Sequence, residues 1–176
     1  MNYLSKVNKI IYCKSSNTYK VCFVSKEYPL ESIFNVLISD AKNIALAKEN
    51  INSEKLKTYD FIINLFSVLC VEIDRFIILK KRKKIIASLY FKINKIENKL
   101  EISFVDAIIL AIKTFSDIYI QKTLFNKNNI INFFENDVIK DQTKINNLKN
   151  ILKLLVKNEE FESAALLRNK INKIDN

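Results

Sequence analysis

Hydrophobic and polar positions alternate with a period of two near the start of the chain. "KIIYC" (Lys9–Cys13) and "YKVCFV" (Tyr19–Val24) flank Ser15, Ser16, Asn17 and Thr18, a cluster of turn formers, so the spacing predicts a hairpin. After Pro29 the period becomes helical. Ala41, Ile44, Ala45 and Ala47 give a small-residue face over about Ser39 to Lys48. Phe61, Ile62, Leu65, Phe66 and Leu69 then form a broad apolar stripe on a second helix, expected to start at Thr58 behind a hydroxyl cap. In "IIASLYFKI" the period of two returns, with Ile85, Ala87, Leu89, Phe91 and Ile93 on one face and Ser88, Tyr90 and Lys92 on the other. The preceding "VEIDRFIIL" is equally strand-like. Between the two lies "KKRKK", Lys80, Lys81, Arg82, Lys83 and Lys84, at the tip of the implied hairpin. "KLEISF" reads as a third strand running into the clearest helix, on which Phe104, Ala107, Ile108, Ala111, Ile112 and Phe115 share a face. "DIYI" closes this region as a short strand.

The pattern then loses its period in the Asn-rich "FNKNNIINFFENDVIKDQT" and regains a helical one. Leu148, Ile151, Leu152 and Leu155 line one helix. Asn158 is placed to cap a second, with Glu159 and Glu160 favourable beside its positive N-terminal end. Phe161, Ala165, Arg168 and Ile171 or Asn172 are expected on that helix's inner face. The order of elements predicts an α+β domain, a mostly antiparallel sheet with packed helices, over residues 1–130. A linker over 131–142 and a C-terminal α-helical hairpin over 143–176 follow. A hairpin of this size falls below what usually folds alone, so it is expected to need a partner.

Composition narrows the chemistry. The chain carries 29 basic and 19 acidic residues in 176, a net charge of +10, which points towards nucleic acid. Its 26 Lys, 22 Asn and 28 Ile, with no Gly or Trp and one Pro, also fit an AT-biased genome, so part of that charge reflects mutation pressure. Histidine is absent, which removes His-based nucleophile activation and His-ligated metal sites. No apolar run is long enough to span a membrane, and no apolar signal core follows Met1. Cys13, Cys22 and Cys70 are odd in number and widely spaced, so they read as reduced thiols of a cytoplasmic protein.

The closing segment resembles a UVR motif, the helical hairpin of the excision-repair proteins UvrB and UvrC. Glu160, Phe161 and Glu162, the Ala164–Ala165 pair, Arg168, Asn169 and Ile171 carry the likeness. It implies pairing with another hairpin, through Phe161, Ala165, Arg168 and Ile171, in a homodimer or with a UVR-containing partner protein. The upstream region resembles the bifunctional nuclease family in three blocks: "YPL" followed by "DAKNIALA", "LKTYDFI", and "LEISFVDAIILAIK" followed by "DIYI". That resemblance implies cleavage of DNA or RNA phosphodiester bonds. Thr58, Asp60 and Asp106 match the family pattern. Tyr59 stands at its histidine position, Ser103 at its arginine, Glu101 at an aspartate and Asp40 at a glutamate.

A nuclease would recruit Asp40, Asp60, Glu101 and Asp106, with Asp60 and Asp106 holding Mg²⁺ or Mn²⁺ to activate water. A structural role competes. Asp40 follows Ser39, Asp60 follows Thr58, and Ser103 and Asp106 have capping-box spacing. A carboxylate in a helix's first turn contributes about 0.3–1 kcal/mol with no catalysis at all. "KKRKK" supplies a phosphate clamp with Tyr90 as a base-stacking neighbour, or a solvated tip that resists edge-to-edge aggregation. Two functions of different class follow: a metal-assisted nuclease, or a catalytically decayed dimeric adaptor acting through the hairpin.

Overall fold

A computed structural model describes residues 1–13, 18–125 and 137–175. Seven strands form one sheet: β1 (Asn2–Cys13), β2 (Thr18–Ser25), β3 (Glu31–Val36), β4 (Val71–Lys81), β5 (Lys84–Ile93), β6 (Ile96–Ser103) and β7 (Asp117–Gln121). Their spatial order is β3-β2-β1-β7-β4-β5-β6. Every pairing is antiparallel except that of β4 with β7. The helices are α1 (Ile38–Lys48), α2 (Glu54–Val68), α3 (Phe104–Thr114), α4 (Asp137–Lys157) and α5 (Phe161–Asp175). This is the α+β architecture the alternating periods predict, ending in a pair of helices. The first hairpin is β1–β2, and its turn-forming Ser15, Ser16 and Asn17 lie outside the described residues. β3 was not anticipated, although Ser32, Phe34 and Val36 alternate inward along it. Among the described residues no helix is long and apolar enough to cross a membrane.

The sheet curls around α3. Phe104, at the start of α3, packs 4.9 Å from Phe34 and 6.4 Å from Phe23 by ring centroids. It also shares a cavity wall with Ile85 of β5, so strands far apart in the sheet order meet at one helix. Phe104, Ala107, Ile108 and Ala111 are buried as expected from the stripe, Ile112 is half-buried, and Ile109 and Leu110, outside the stripe, are buried as well. Phe115 is not. It takes the left-handed position after the helix, φ 55°, and its ring is 96% exposed. Leaving the helix at Thr114 rotates the next residue off the buried face, whatever the periodicity suggests.

α2 also departs from expectation. It begins at Glu54 behind Ser53, so Thr58 is an interior residue and not a cap. Its buried residues are Leu56 and Tyr59 alone, while Phe61, Leu65 and Val68 face outward, with Leu69 exposed just past its end.

A chain without glycine still needs left-handed residues to end helices and turn hairpins. Among the described residues the seven positive-φ positions are therefore Asn50, Cys70, Arg82, Asn94, Lys95, Phe115 and Glu159. Asn94 and Lys95 form the β5–β6 turn, where a two-residue loop favours left-handed geometry. Glu159 closes α4. Its N–H reaches Val156 O at 3.1 Å and the Glu160 N–H reaches Leu155 O at 2.9 Å, the paired bonds of a Schellman motif. Asn158 therefore belongs to the end of α4, and the residue before α5 is Glu160. A Cβ in this conformation costs about 1–2 kcal/mol. Glu159→Gly is accordingly expected to stabilise the chain by about 1 kcal/mol, read as a higher denaturation midpoint with an unchanged slope.

The helical pair is built into the rest of the molecule. Ile145, Leu148, Ile151 and Leu155 of α4 and Ala164, Leu167 and Ile171 of α5 belong to the same buried cluster as the sheet and α1–α3. Ser163 Oγ donates to Asn52 O at 2.8 Å. Lys42 of α1 pairs with Glu160, and Lys170 Nζ reaches Glu49, donating to its carbonyl and lying 3.6 Å from Oε2. The mate that receives α5 is thus α4 together with the end of α1. α4 starts at Asp137, inside the stretch expected as linker, and residues 131–136 of that linker lie outside the described residues.

Candidate functional site

Of the side chains singled out for chemistry, Asp60 and Asp106 lie where α2 meets α3. Ser103 caps α3: its Oγ accepts from the Asp106 N–H at 3.1 Å, the hydroxyl half of the capping box the spacing predicts. Asp106 Oδ2 accepts from the Ser103 hydroxyl at 2.7 Å instead of from its backbone N–H. The other oxygen of Asp106 is taken too. Tyr59 Oη donates to Oδ1 at 2.6 Å across the seam. Tyr59 is only 7% exposed, and burial first, then its bond to Asp106, hold its proton far above the usual tyrosine range. The negative charge of Asp106 and, after it, that of Asp40 on α1 act in the same direction. One residue along, Lys113 Nζ donates to Asp60 Oδ1 at 2.6 Å. The Lys113 side chain is largely buried while Asp60 is partly open to solvent.

Asp60 is therefore not in a first helical turn. Since α2 starts at Glu54, Asp60 lies past that turn and is fixed by Lys113 rather than by the helix dipole. Lys113 was missed in the sequence, although its position was informative: it is the one basic residue of the apolar helix "FVDAIILAIKT". Glu101 stands apart from the seam bonds. It lies exposed on β6 and accepts from Lys81 Nζ at 2.6 Å, a hydrogen bond that lowers its pKa.

A divalent ion asks for several oxygen donors free to face it. Asp60 holds an ammonium group, and both oxygens of Asp106 accept from hydroxyls. Among the described residues no group of three His, Cys, Asp or Glu side chains is arranged to hold a metal. The residues at the seam, as arranged, do not fit Mg²⁺ or Mn²⁺.

The basic tip forms as predicted. Lys81 and Lys84 pair across β4 and β5, and Arg82, with φ 57°, and Lys83 make the two-residue turn. Lys80 to Lys84 are all exposed. Tyr90 does not join them. It lies six residues along β5 from Lys84, roughly 20 Å at strand rise. Its ring faces are also occupied, with Arg75 at 4.9 Å and Lys99 at 5.5 Å from the centroid. The expectation of an aromatic beside the clamp is corrected.

On α5 the inner face is rotated from the one expected. Ser163, Ala164, Leu167 and Ile171 are buried, whereas Phe161, Ala165 and Arg168 are exposed. Of the four residues expected on the inner face, Ile171 packs inward, and the other three, spaced i, i+4 and i+7, form an outward ridge.

An α+β domain with polar groups gathered on a helix–helix seam, continued by a helical hairpin, is the class these features define. The model of the bifunctional nuclease domain matches residues 31–132, which takes in β3 to β7 and the whole seam. The UvrB/uvrC motif matches residues 142–176. The chain belongs to the bifunctional nuclease family and carries a UVR motif after that domain. No curated protein matches it.

Proposed function

We propose that this chain engages DNA or RNA as a member of its family, and that binding, rather than hydrolysis, is the activity it retains. The carrying observation is the state of the two carboxylates that match the family pattern. Both oxygens of Asp106 accept from Tyr59 and Ser103, and Oδ1 of Asp60 accepts from Lys113, so each carboxylate already completes an internal contact. Tyr59, with its raised pKa, donates a hydrogen bond well but is a poor base at neutral pH. The exposed tip Lys80–Lys84 supplies phosphate contacts without sequence readout. The outward ridge of Phe161, Ala165 and Arg168 is the surface left for a second UVR-type hairpin, with Arg168 placed for an acidic group on that partner. The free thiols of Cys22 and Cys70 fit a reducing, cytoplasmic setting.

Hydrolysis is the second reading, favoured by the family match over the seam. In it, Asp60 and Asp106 would leave their present partners when substrate arrives, Asp40 would join them, and Lys113 would turn to the phosphate.

One experiment separates the two. Purified protein is incubated with single-stranded DNA and RNA, with Mg²⁺, Mn²⁺ or EDTA, beside Asp60→Asn/Asp106→Asn, and binding is followed by fluorescence anisotropy. The expected result is salt-sensitive binding in all conditions and no cleavage above background. Lys81→Ala/Lys83→Ala should weaken binding about equally for all sequences. Metal-dependent cleavage that the double substitution abolishes, with the fold intact, would overturn the binding reading and establish hydrolysis.

A further inference from the structure

We infer that α2 and the neighbouring rim of β6 form the surface on which a second copy of this chain docks. Among the described residues the exposed large hydrophobic side chains concentrate here. Phe61 is 67% exposed, Leu65 42%, Val68 79% and Leu69 55%, and on β6 Ile96 is 67% and Leu100 52% exposed. The topology brings the two groups together. α2 runs into β4 at Val71, Val71 pairs with Ile93, and Ile93 pairs with Ile96 across the next turn. Beneath them Ile62, Ile63, Phe66, Ile73 and Phe91 are half-buried against the core, so the outer side chains rest on a firm apolar base.

Area argues for an interface. With about 200 Å² for each side chain fully exposed, the six present on the order of 700 Å². The largest apolar patch of an ordinary monomer is roughly 300–600 Å². A stable interface needs about 800 Å² per partner, which these six nearly supply before any flanking residue is added.

Charge argues for a second copy rather than a foreign protein or nucleic acid. The chain carries +10, so two copies repel over most of their surface. From Phe61 to Val71, eleven consecutive residues, there is no charged side chain. This is where two like-charged molecules meet without like charges facing one another, and it offers no charge for a phosphate backbone or a charged partner to select. Phe61, Leu65 and Val68 follow i, i+4 and i+7, a single ridge with Leu65 near its middle. Two such ridges packed antiparallel about a twofold axis set Phe61 against the partner's Val68 and Leu65 near the axis. Asp60 and Tyr59 directly precede the ridge, so the two seams flank the axis. The dimer then uses α2, and the outward ridge of α5 stays free for a different partner.

The test is the association state of the full chain by sedimentation equilibrium, with Leu65→Glu and Leu65→Lys studied singly and mixed. The wild type should be a dimer. Each variant should raise the dimer dissociation constant about 100-fold or more, because a charge is then buried beside its own twofold copy. An equimolar mixture should regain most of the loss, since opposite charges meet at the axis. Phe161→Glu, on the outer face of α5, should leave the dimer unchanged. Val68→Lys repeats the test at a residue too exposed for its replacement to disturb the fold, which far-UV circular dichroism checks for every variant. A monomeric wild type overturns the inference, as does a dimer indifferent to all the α2 substitutions. So does a dimer lost on Phe161→Glu and kept on Leu65→Glu, which assigns dimerisation to the UVR hairpin. None of these outcomes depends on whether the seam cleaves nucleic acid.

Discussion

Asp106→Ala is expected to lower the thermal unfolding midpoint by roughly 5–15 °C, from a loss of about 2–4 kcal/mol. Two costs combine. The first is the cap: Ser103 keeps its bond to the residue 106 N–H but loses the carboxylate that accepts from its own hydroxyl. The second is larger. The Tyr59 hydroxyl, on a residue 7% exposed, loses its acceptor at 2.6 Å and is left buried without a partner. Tyr59→Phe should cost less, about 1 kcal/mol, because Asp106 retains Ser103 and partial access to water. In the double variant the orphaned hydroxyl is gone, so the loss should fall short of the sum of the two single losses.

The same pair gives a signed pH dependence. Tyr59 has its pKa raised above the value of about 10 that it has in the unfolded chain. The unfolded chain thus releases this proton first, and the contribution of Tyr59 is present in full below pH ~10 and lost as pH rises beyond it. Cys22, buried in β2 and pushed up to about 11, acts in the same direction from pH ~9. Stability should therefore fall between pH ~9 and 12, and Tyr59→Phe should flatten the upper part of that fall. An Asp106→Ala protein as stable as wild type, with an unchanged alkaline limb, would mean that the seam contributes no folding energy and is held for chemistry alone.

Sequence pattern revealed the fold where one face of an element packs continuously. The stripe of α3, the alternation of β5 and the leucines of α4 were legible because each buries a simple period. The cap that Ser103 puts on the Asp106 N–H was legible because both partners lie within one turn. What stayed hidden depends on distant residues. The bond from Tyr59 to Asp106 spans 47 positions and that from Lys113 to Asp60 spans 53, and no local period encodes either. β3 is six residues long, and its alternation resembled a loop beside Pro29. The apolar residues of α2 predicted a buried helix, since hydrophobicity is the same whether a residue faces its own core or a second molecule. On α5, the inner face was off by one position, enough to turn Phe161 and Arg168 outward.

The helical pair is where this matters most for stability, and Leu167→Ala is the variant that shows it. Leu167 is 1% exposed in the cluster that joins Ile151, Leu155, Ala164 and Ile171 to the core of the domain. Removing its isobutyl group leaves a cavity between helices already fixed on other sides, at a cost of about 2–5 kcal/mol. The decisive question is where that cost appears. A hairpin tethered by a linker would melt alone and leave the sheet untouched. Here α5 holds the backbone carbonyls of Glu49 and Asn52 through Lys170 and Ser163, and Glu160 pairs with Lys42 of α1. Loosening α5 thus also removes partners from the end of α1. Hydrogen exchange of the full-length variant should show the amides of Leu46, Ala47 and Lys48 losing protection by about 30-fold or more, in step with those of α5. Loss confined to α4 and α5 would mean that the hairpin folds independently and that these contacts add nothing. Loss shared with α1 makes the UVR motif part of the domain's own core, leaving its outer ridge, rather than the whole hairpin, to meet a partner.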